Sequence, residues 1–445
     1  MDGPASVRRL HAVVIGDTEI ARLTCAGLEE RGDLVEHLPL PTEEEVRSAL
    51  TLDVDAVAVL IRNDVSVLRH CLLVEHVRPG IRLVATVFDR TLADQLVRVV
   101  PNCLVTSPAA VSVPSIAGAC LADGLLAVER YGDGAGARAL RDGPVGVEVI
   151  PYSVRRPSFR AVASSAAASL RPHDDATRIL FLGMTGLLAV LVASVVLTKT
   201  VLHQRFVQSL YLATRVVATV GPDNVTPKTS NWYLLFSSGA MLLTIAFTAM
   251  FTAGVVNRLL SSRSVGIVGR RTVPARHHVV VVGLGQVGLR LALHLKALGV
   301  PVVVLERDPL AANLRLARAS GIPVLSVHAE DRGVLRRLSL HRARALAAMG
   351  SDELDNIEVA INALADAPDL RVVLRAGEDE VIAETRSLFR IGEVCDVAAL
   401  TAVAVMRSML GGTPGTVYPR NHEIAAFDGV TEECSVAQRR CRCPA

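Results

Sequence analysis

Ser209–Asn224 reads SLYLATRVVATVGPDN and lies between two long apolar runs, Ile179–Thr198 and Leu234–Val256. As a helix rising about 1.5 Å per residue, each run is long enough to cross about 30 Å of hydrocarbon. The segment between them is too short and too polar for a third crossing. The sequence predicts a short apolar helix over Phe206–Ala218, then the non-helical Thr219-Val220-Gly221. Backbone that lacks helical hydrogen bonds survives at membrane depth only where it lines a water-filled path or is buried in protein. The middle of the chain therefore reads as span, re-entrant helix, loop, span.

This layout resembles the pore of a two-span potassium channel. The filter of that family is a TVGYG loop from each of four chains, and its backbone carbonyls replace the ion's hydration shell. Leu210-Tyr211 lead in and Thr219-Val220-Gly221 match the filter core. With Pro222 and Asp223 they make up the candidate selectivity filter. The resemblance implies a homotetramer that conducts potassium or a similar monovalent cation. The chain departs from the family after Gly221, where Pro222-Asp223-Asn224 replace Tyr-Gly-Asp. Glycine lets a filter backbone turn its carbonyls to the axis. Pro222 instead fixes φ and lacks an N–H, and Asp223 reaches the left-handed region only at a cost. A conducting pore and a dead pore kept as a membrane anchor both stay open on these residues. Arg215 precedes Asp223 by about two helical turns. One reading pairs the two behind the filter, and the other sets Arg215 in outer water with Asp223 at the mouth.

At 445 residues the chain has room for two or three domains. Its mean hydropathy of +0.40 reflects the two spans. A net charge of +3 with no basic block gives no sign of a nucleic-acid partner. The first span starts near residue 179, so it is not a signal peptide. Cys25, Cys71, Cys103 and Cys120 fall in apolar patterns and are expected to be small buried hydrophobes. Cys441-x-Cys443, with His422 and Cys434 nearby, fits no standard zinc spacing, and no metal site is expected. Arg171, Arg178, Arg258, Arg263, Arg270 and Arg271 flank the span pair, against Lys199, Arg205, Arg215 and Lys228 between the spans. Both termini are therefore expected on the cytoplasmic side of the cell membrane.

Both soluble parts alternate strands with helices, the signature of a doubly wound parallel sheet. In the first, His11–Gly16 is a strand ending in Gly, Thr18–Arg31 is helical and Gly32 stops it. Strands are expected at Leu34–Leu38, Asp55–Ile61, Arg82–Phe88 and Asn102–Thr106. Thr42 caps a helix that opens with three glutamates.

In the second, the strand His278–Gly283 runs into Gly283-Leu284-Gly285-Gln286-Val287-Gly288, then a helix to Leu298, then a strand, Pro301–Leu305, ending in Glu306. That is the dinucleotide fingerprint in its required context. Gly283 makes the turn, Gly285 admits a pyrophosphate, Gly288 lets helix and strand approach, and Glu306 faces ribose hydroxyls. With Gln286, Val287 and Arg307 these form the candidate set for NAD(H) or another adenine nucleotide.

The two parts are internal repeats. His11–Gly32 aligns without gaps on His278–Gly299, and Arg82–Leu121 on Arg371–Leu410. Thr18, Ala21 and Pro39 stand in the first copy for Gly285, Gly288 and Glu306. The first copy is expected to keep the fold and lose the ligand.

GLGQVG at 283–288, Glu306, Ser351-Asp352 with Asn356, and Val372–Arg375 resemble the RCK domain, the regulator of potassium conductance. His328 departs from that family, which has an acidic residue there. The resemblance implies nucleotide-gated assembly of such domains into a ring. An NAD-dependent oxidoreductase is the other class, but no Tyr-x-x-x-Lys or His/Asp pairing stands at the strand ends. No catalytic residue is expected. The organisation read from sequence is a degenerate Rossmann domain over 1–132, a linker over 133–178 and a two-span pore module over 179–260. A linker over 261–276, an RCK domain over 277–410 and a disordered tail over 411–445 complete it. The smaller lobe that often follows an RCK domain reads as truncated or absent. Gly254, late in the second span, is either a hinge or a helix-packing glycine.

Overall fold

The fold was obtained as a computed structural model. It describes residues 9–131, 136–144, 146–153, 175–201, 205–220, 231–260, 276–327, 335, 338–376, 392–420, 423–429 and 432–437. The chain divides into two units, an α/β unit formed by both ends of the sequence and a helical unit over Ala166–Gly269.

In the first copy, β1 (His11–Ile15), β2 (Leu34–Leu38), β3 (Ala56–Val59), β4 (Arg82–Thr86) and β5 (Cys103–Thr106) form a parallel sheet in the order β2-β1-β3-β4-β5. The helices between them are α1 (Glu19–Glu30), α2 (Glu43–Ala49), α3 (Asp64–Val77) and α4 (Arg90–Val99), and α5 (Pro108–Leu121) follows β5. Each strand lies within a few residues of its predicted place; β1, β3 and β4 do so because apolar runs buried on both faces leave little choice. Thr42 closes a full capping box with Glu45, as the three-glutamate start predicts. Cys25, Cys71, Cys103 and Cys120 are all buried. Burial pushes the Cys25 and Cys120 thiols up to about 12, so they pack as apolar groups rather than react.

The strands of the second copy are β9 (Val279–Val282), β10 (Val302–Glu306), β11 (Val324–Ser326), β12 (Ala345–Ala348), β13 (Arg371–Ala376) and β14 (Glu393–Asp396). Their order is β11-β10-β9-β12-β13-β14. That is the doubly wound arrangement whose strand order reverses between β9 and β12. The first copy has one strand fewer: α2 alone joins β2 to β3, so nothing answers to β11.

The last helix of each copy packs on the other copy. Val113, Ile116, Ala117 and Cys120 of α5 share a core with Val279, Val281 and Leu291 of the second copy. Reciprocally, Leu400, Val403 and Ala404, on the helix Val397–Met409, share a core with Ala12, Val14, Ala56 and Val84 of the first. Eleven of the 14 residues of α5 and 12 of the 13 in Val397–Met409 are buried. A helix that is apolar all round must be enclosed on all sides, and the exchange encloses both.

Two small antiparallel sheets correct the sequence reading. Leu125–Tyr131 (β6), Gly136–Asp142 (β7) and Val147–Pro151 (β8) occupy the start of the expected linker. Thr416–Arg420 (β15), Glu423–Phe427 (β16) and Glu432–Ala437 (β17) occupy much of the expected tail, so a small lobe does follow the second copy. These strands are short and rich in Arg and Glu. One face of each sheet packs on the larger copies, with Leu125, Val128, Ala137 and Ala139 in one core and Val417, Ile424 and Ala426 in the other, and the opposite faces meet each other. Ala127 and Leu140 bury against Tyr418, Ala425 and Phe427, Arg420 pairs with Asp142 at 2.8 Å, and Arg138 pairs with Glu129.

In the helical unit, α6 (Asp175–Val201) and α8 (Asn231–Leu260) are long and apolar enough to cross a membrane, and α7 (Phe206–Val217) lies between them in sequence. Glycines bring the two long helices close. A β-carbon at Gly183 would lie 2.6 Å from the Phe251 nitrogen, and one at Gly254 would lie 2.8 Å from Leu180 Cα. Gly254 is therefore placed as a packing glycine.

Candidate functional site

The glycine loop of the second copy opens at the carboxyl end of β9. Gly283 turns at φ 89°, left-handed backbone that suits glycine. A β-carbon at Gly288 would lie 2.0 Å from the Gly283 carbonyl oxygen, so the third glycine is required by the fold itself. Gly285 differs: no atom lies within 4 Å of where its β-carbon would sit. It is the N-cap of the helix Gln286–Ala297 (α9), with no side chain on its first amides. Open space at a bare helix N-terminus is what a pyrophosphate requires. Val287 is buried in the core below the loop.

Glu306 ends β10 beside that loop. Its carboxylate accepts the Leu284 N–H at 2.6 Å and the Asp308 N–H at 2.9 Å. A carboxylate has about four acceptor positions, so these two bonds fix its direction and leave capacity for ribose hydroxyls. Asn313 donates to the Leu284 carbonyl at 2.9 Å and holds the loop from its other side. Arg307 pairs with Asp355 at 3.2 Å, linking the end of β10 to the helix Glu353–Asp366. Asn356 is 3% exposed and acts as a brace. It accepts the Gly350 N–H at 2.9 Å and donates to the carbonyls of Gly350 and Arg375. This brace holds the β12 loop against the glycine loop, and sequence spacing alone gave Asn356 no such role.

The matching loop of the first copy is closed by its own side chains. Thr18, in the place of Gly285, donates to the Leu60 carbonyl at 2.7 Å and accepts the Ala21 N–H at 3.3 Å. A ring nitrogen of His37 lies 2.8 Å from the Gly16 carbonyl oxygen. The fold survives the loss of two fingerprint glycines because Thr18 satisfies the polar groups that a ligand would otherwise meet.

In the helical unit, Ser209, Ala213 and Val216 form the buried face of α7, and Val216 meets Val190 and Ala240. The helix ends as a Schellman motif: Thr219 N–H donates to Val216 and Val220 N–H to Arg215, both at 3.0 Å. Thr219 stands at φ 57° where glycine is usual; for a β-branched residue that costs about 1–2 kcal/mol. The Arg215 guanidinium lies over the Tyr211 ring, 5.9 Å from its centre. Gly221, Pro222, Asp223 and Asn224 lie outside the described residues, as do His328, the Cys441–Cys443 pair and the partner expected for Arg215.

Residues 171–261 match the family model for an ion channel and residues 279–392 that for the TrkA-N domain. An uncharacterised protein of Methanothermus fervidus is 25% identical over 194 residues, 42% of this chain and 30% of that one. Potassium channel protein 1 of Methanocaldococcus jannaschii is 22% identical over 197 residues, 43% of this chain and 58% of its own length. The chain thus matches less than two thirds of either relative. Its fold is similar to the crystal structure of the GsuK RCK domain, at a TM-score of 0.50 and 13% identity, over 92% of this chain and 78% of that one. The span pair thus carries the ion-channel match and the second copy the TrkA-N match, while for the first copy the likeness is one of fold.

Proposed function

We propose that four copies of this chain form a monovalent-cation channel of the potassium type, gated by NAD(H) or another adenine nucleotide at the glycine loop of the second copy. It sits in the cell membrane with both termini in the cytoplasm, and residues 219–223 line the ion path. The observation that carries the ligand half is the open space over Gly285 beside a directed Glu306. The channel half is supported by the ion-channel match over 171–261 and by the named potassium channel relative.

The nucleotide's pyrophosphate rests on the first amides of α9, and Glu306 takes the adenosine ribose. The first copy, its loop closed by Thr18 and His37, binds none. A ligand moves a conformational equilibrium only through different affinities for its two states. The nucleotide therefore favours one arrangement of the exchanged α/β pair, and the change reaches the second span along residues 258–276. Ion flux in liposomes, measured over a panel of monovalent cations with and without NAD(H), ADP and ATP, tests the reading. Flux that no nucleotide alters refutes the gating. Absence of flux under every condition supports the second reading, a nucleotide-binding membrane protein with a non-conducting pore. That reading is favoured by Pro222 in the filter and by the strained Thr219.

A further inference from the structure

We propose that the ligand is a dinucleotide whose distal half, the nicotinamide riboside end, is held by the first copy through Arg62 and Glu19. This rests on the reading that the second copy binds a nucleotide. A cavity of about 430 Å³ lies between the two copies, lined by residues at the carboxyl ends of strands from both sheets. From the second copy come Ser351, after β12, and Arg375, near the end of β13. From the first come Glu19 after β1, Arg62 after β3 and Phe88 after β4. In open α/β sheets, ligands lie outside the carboxyl ends of strands, across the point where strand order reverses.

The cavity adjoins the glycine loop. Gly350 is in its wall, and a β-carbon on Gly283 would lie 2.9 Å from the Gly350 nitrogen. Glu306 sets the adenosine half over β10. A dinucleotide that crosses the reversal between β9 and β12 places its other half beyond β12, where the cavity opens. A mononucleotide ends before it.

The lining chemistry fits that half better than it fits a simple anion. Two arginines, Arg62 and Arg375, and three acidic residues, Glu19, Asp352 and Glu353, line the cavity. Asp352 is engaged as the N-cap of its own helix, accepting the Leu354 N–H at 2.9 Å and the Asp355 N–H at 3.2 Å. Ribose hydroxyls and a carboxamide need both donors and acceptors, an oxidised pyridinium ring carries positive charge, and the half-buried Phe88 offers a flat apolar surface. The hydrogen bond from Thr18 to Leu60 closes the first copy's own loop beside the cavity wall, and the Glu19 carboxylate accepts from Arg22 Nε at 2.8 Å. The degenerate copy then works as the cover of its neighbour's site, and ligand binding ties the two copies together.

The test is calorimetric titration of the full chain in detergent with NAD+ and with ADP, for the unsubstituted protein, Arg62→Ala, Glu19→Gln and the double variant. Thermal melts of Arg62→Ala and Glu19→Gln without ligand, run beside the titrations, separate a lost ligand contact from altered folding. Each single change is expected to weaken NAD+ at least about fivefold, the loss of one charge-assisted hydrogen bond, with ADP unchanged within about twofold. Equal losses for both ligands, or NAD+ affinity unmoved by Arg62→Ala, overturn the cross-copy site. If the unsubstituted chain binds neither ligand, the glycine-loop reading itself fails. If it binds ADP and NAD+ equally and the variants change nothing, only this inference fails.

Discussion

Gly285→Val separates the ligand role of the glycine loop from its folding role. With no atom within 4 Å of the β-carbon position and φ at −64°, the folded protein accommodates the new side chain. Its unliganded stability should fall by no more than about 1 kcal/mol, the cost of a poorer N-cap residue. The space it fills is the one a pyrophosphate needs, so binding should be lost. At a ligand concentration of about 100 Kd, binding stabilises the folded state by about 2.7 kcal/mol. At about 2 °C per kcal/mol for a large domain, that is a rise in Tm of roughly 5 °C, which Gly285→Val should abolish. Gly288→Ala is the contrast: its β-carbon falls 2.0 Å from the Gly283 carbonyl, and overpacking of that kind costs about 1–3 kcal/mol without any ligand. Thermal melts of both variants with and without NAD+ check the pair. The reasoning is refuted if Gly285→Val keeps the ligand-induced rise, or if it lowers the unliganded midpoint as much as Gly288→Ala does. The full chain is needed, because a domain cut at its boundary would lose the α5 or Val397–Met409 helix that fills the other copy's core.

Glu306 should favour NAD(H) over NADP(H), since a carboxylate repels a 2′-phosphate; a competition titration with NADP(H) the tighter ligand would contradict its placement at the ribose. His278, fully buried before β9, has its pKa driven down to about 4, chiefly by burial. A depressed histidine contributes stability that is complete above about 6.5 and is lost as pH falls towards 4. The full difference is about 3 kcal/mol, and His278→Leu should flatten that part of the stability–pH curve. Gly254→Leu should separate α6 from α8, because the β-carbon alone would lie 2.8 Å from Leu180 Cα. A drop in the assembled fraction by size-exclusion chromatography is expected, and unchanged assembly would count against the packing role.

Much of this architecture is local and therefore legible in the sequence. Two apolar runs of membrane length, a short helix between them and a GLGQVG turn between strand and helix each fix their own structure, because burial, helix length and glycine backbone freedom act over neighbouring residues. The gapless match of Arg82–Leu121 to Arg371–Leu410 identifies the repeat. The exchange of their last helices is a tertiary fact, since an all-apolar helix demands enclosure without naming the sheet that provides it. The small sheets resemble linker and tail in sequence for the same reason: β7 and β15 carry too few apolar residues to predict a core, and Leu140 and Tyr418 are buried where the sheets meet. The fingerprint residues were identifiable by spacing. That Gly288 serves the fold and Gly285 leaves space for a ligand, that Asn356 braces the loop, and that Arg62, Glu19 and Arg375 line one cavity follow from the packing of segments far apart in the chain, which only the tertiary structure sets.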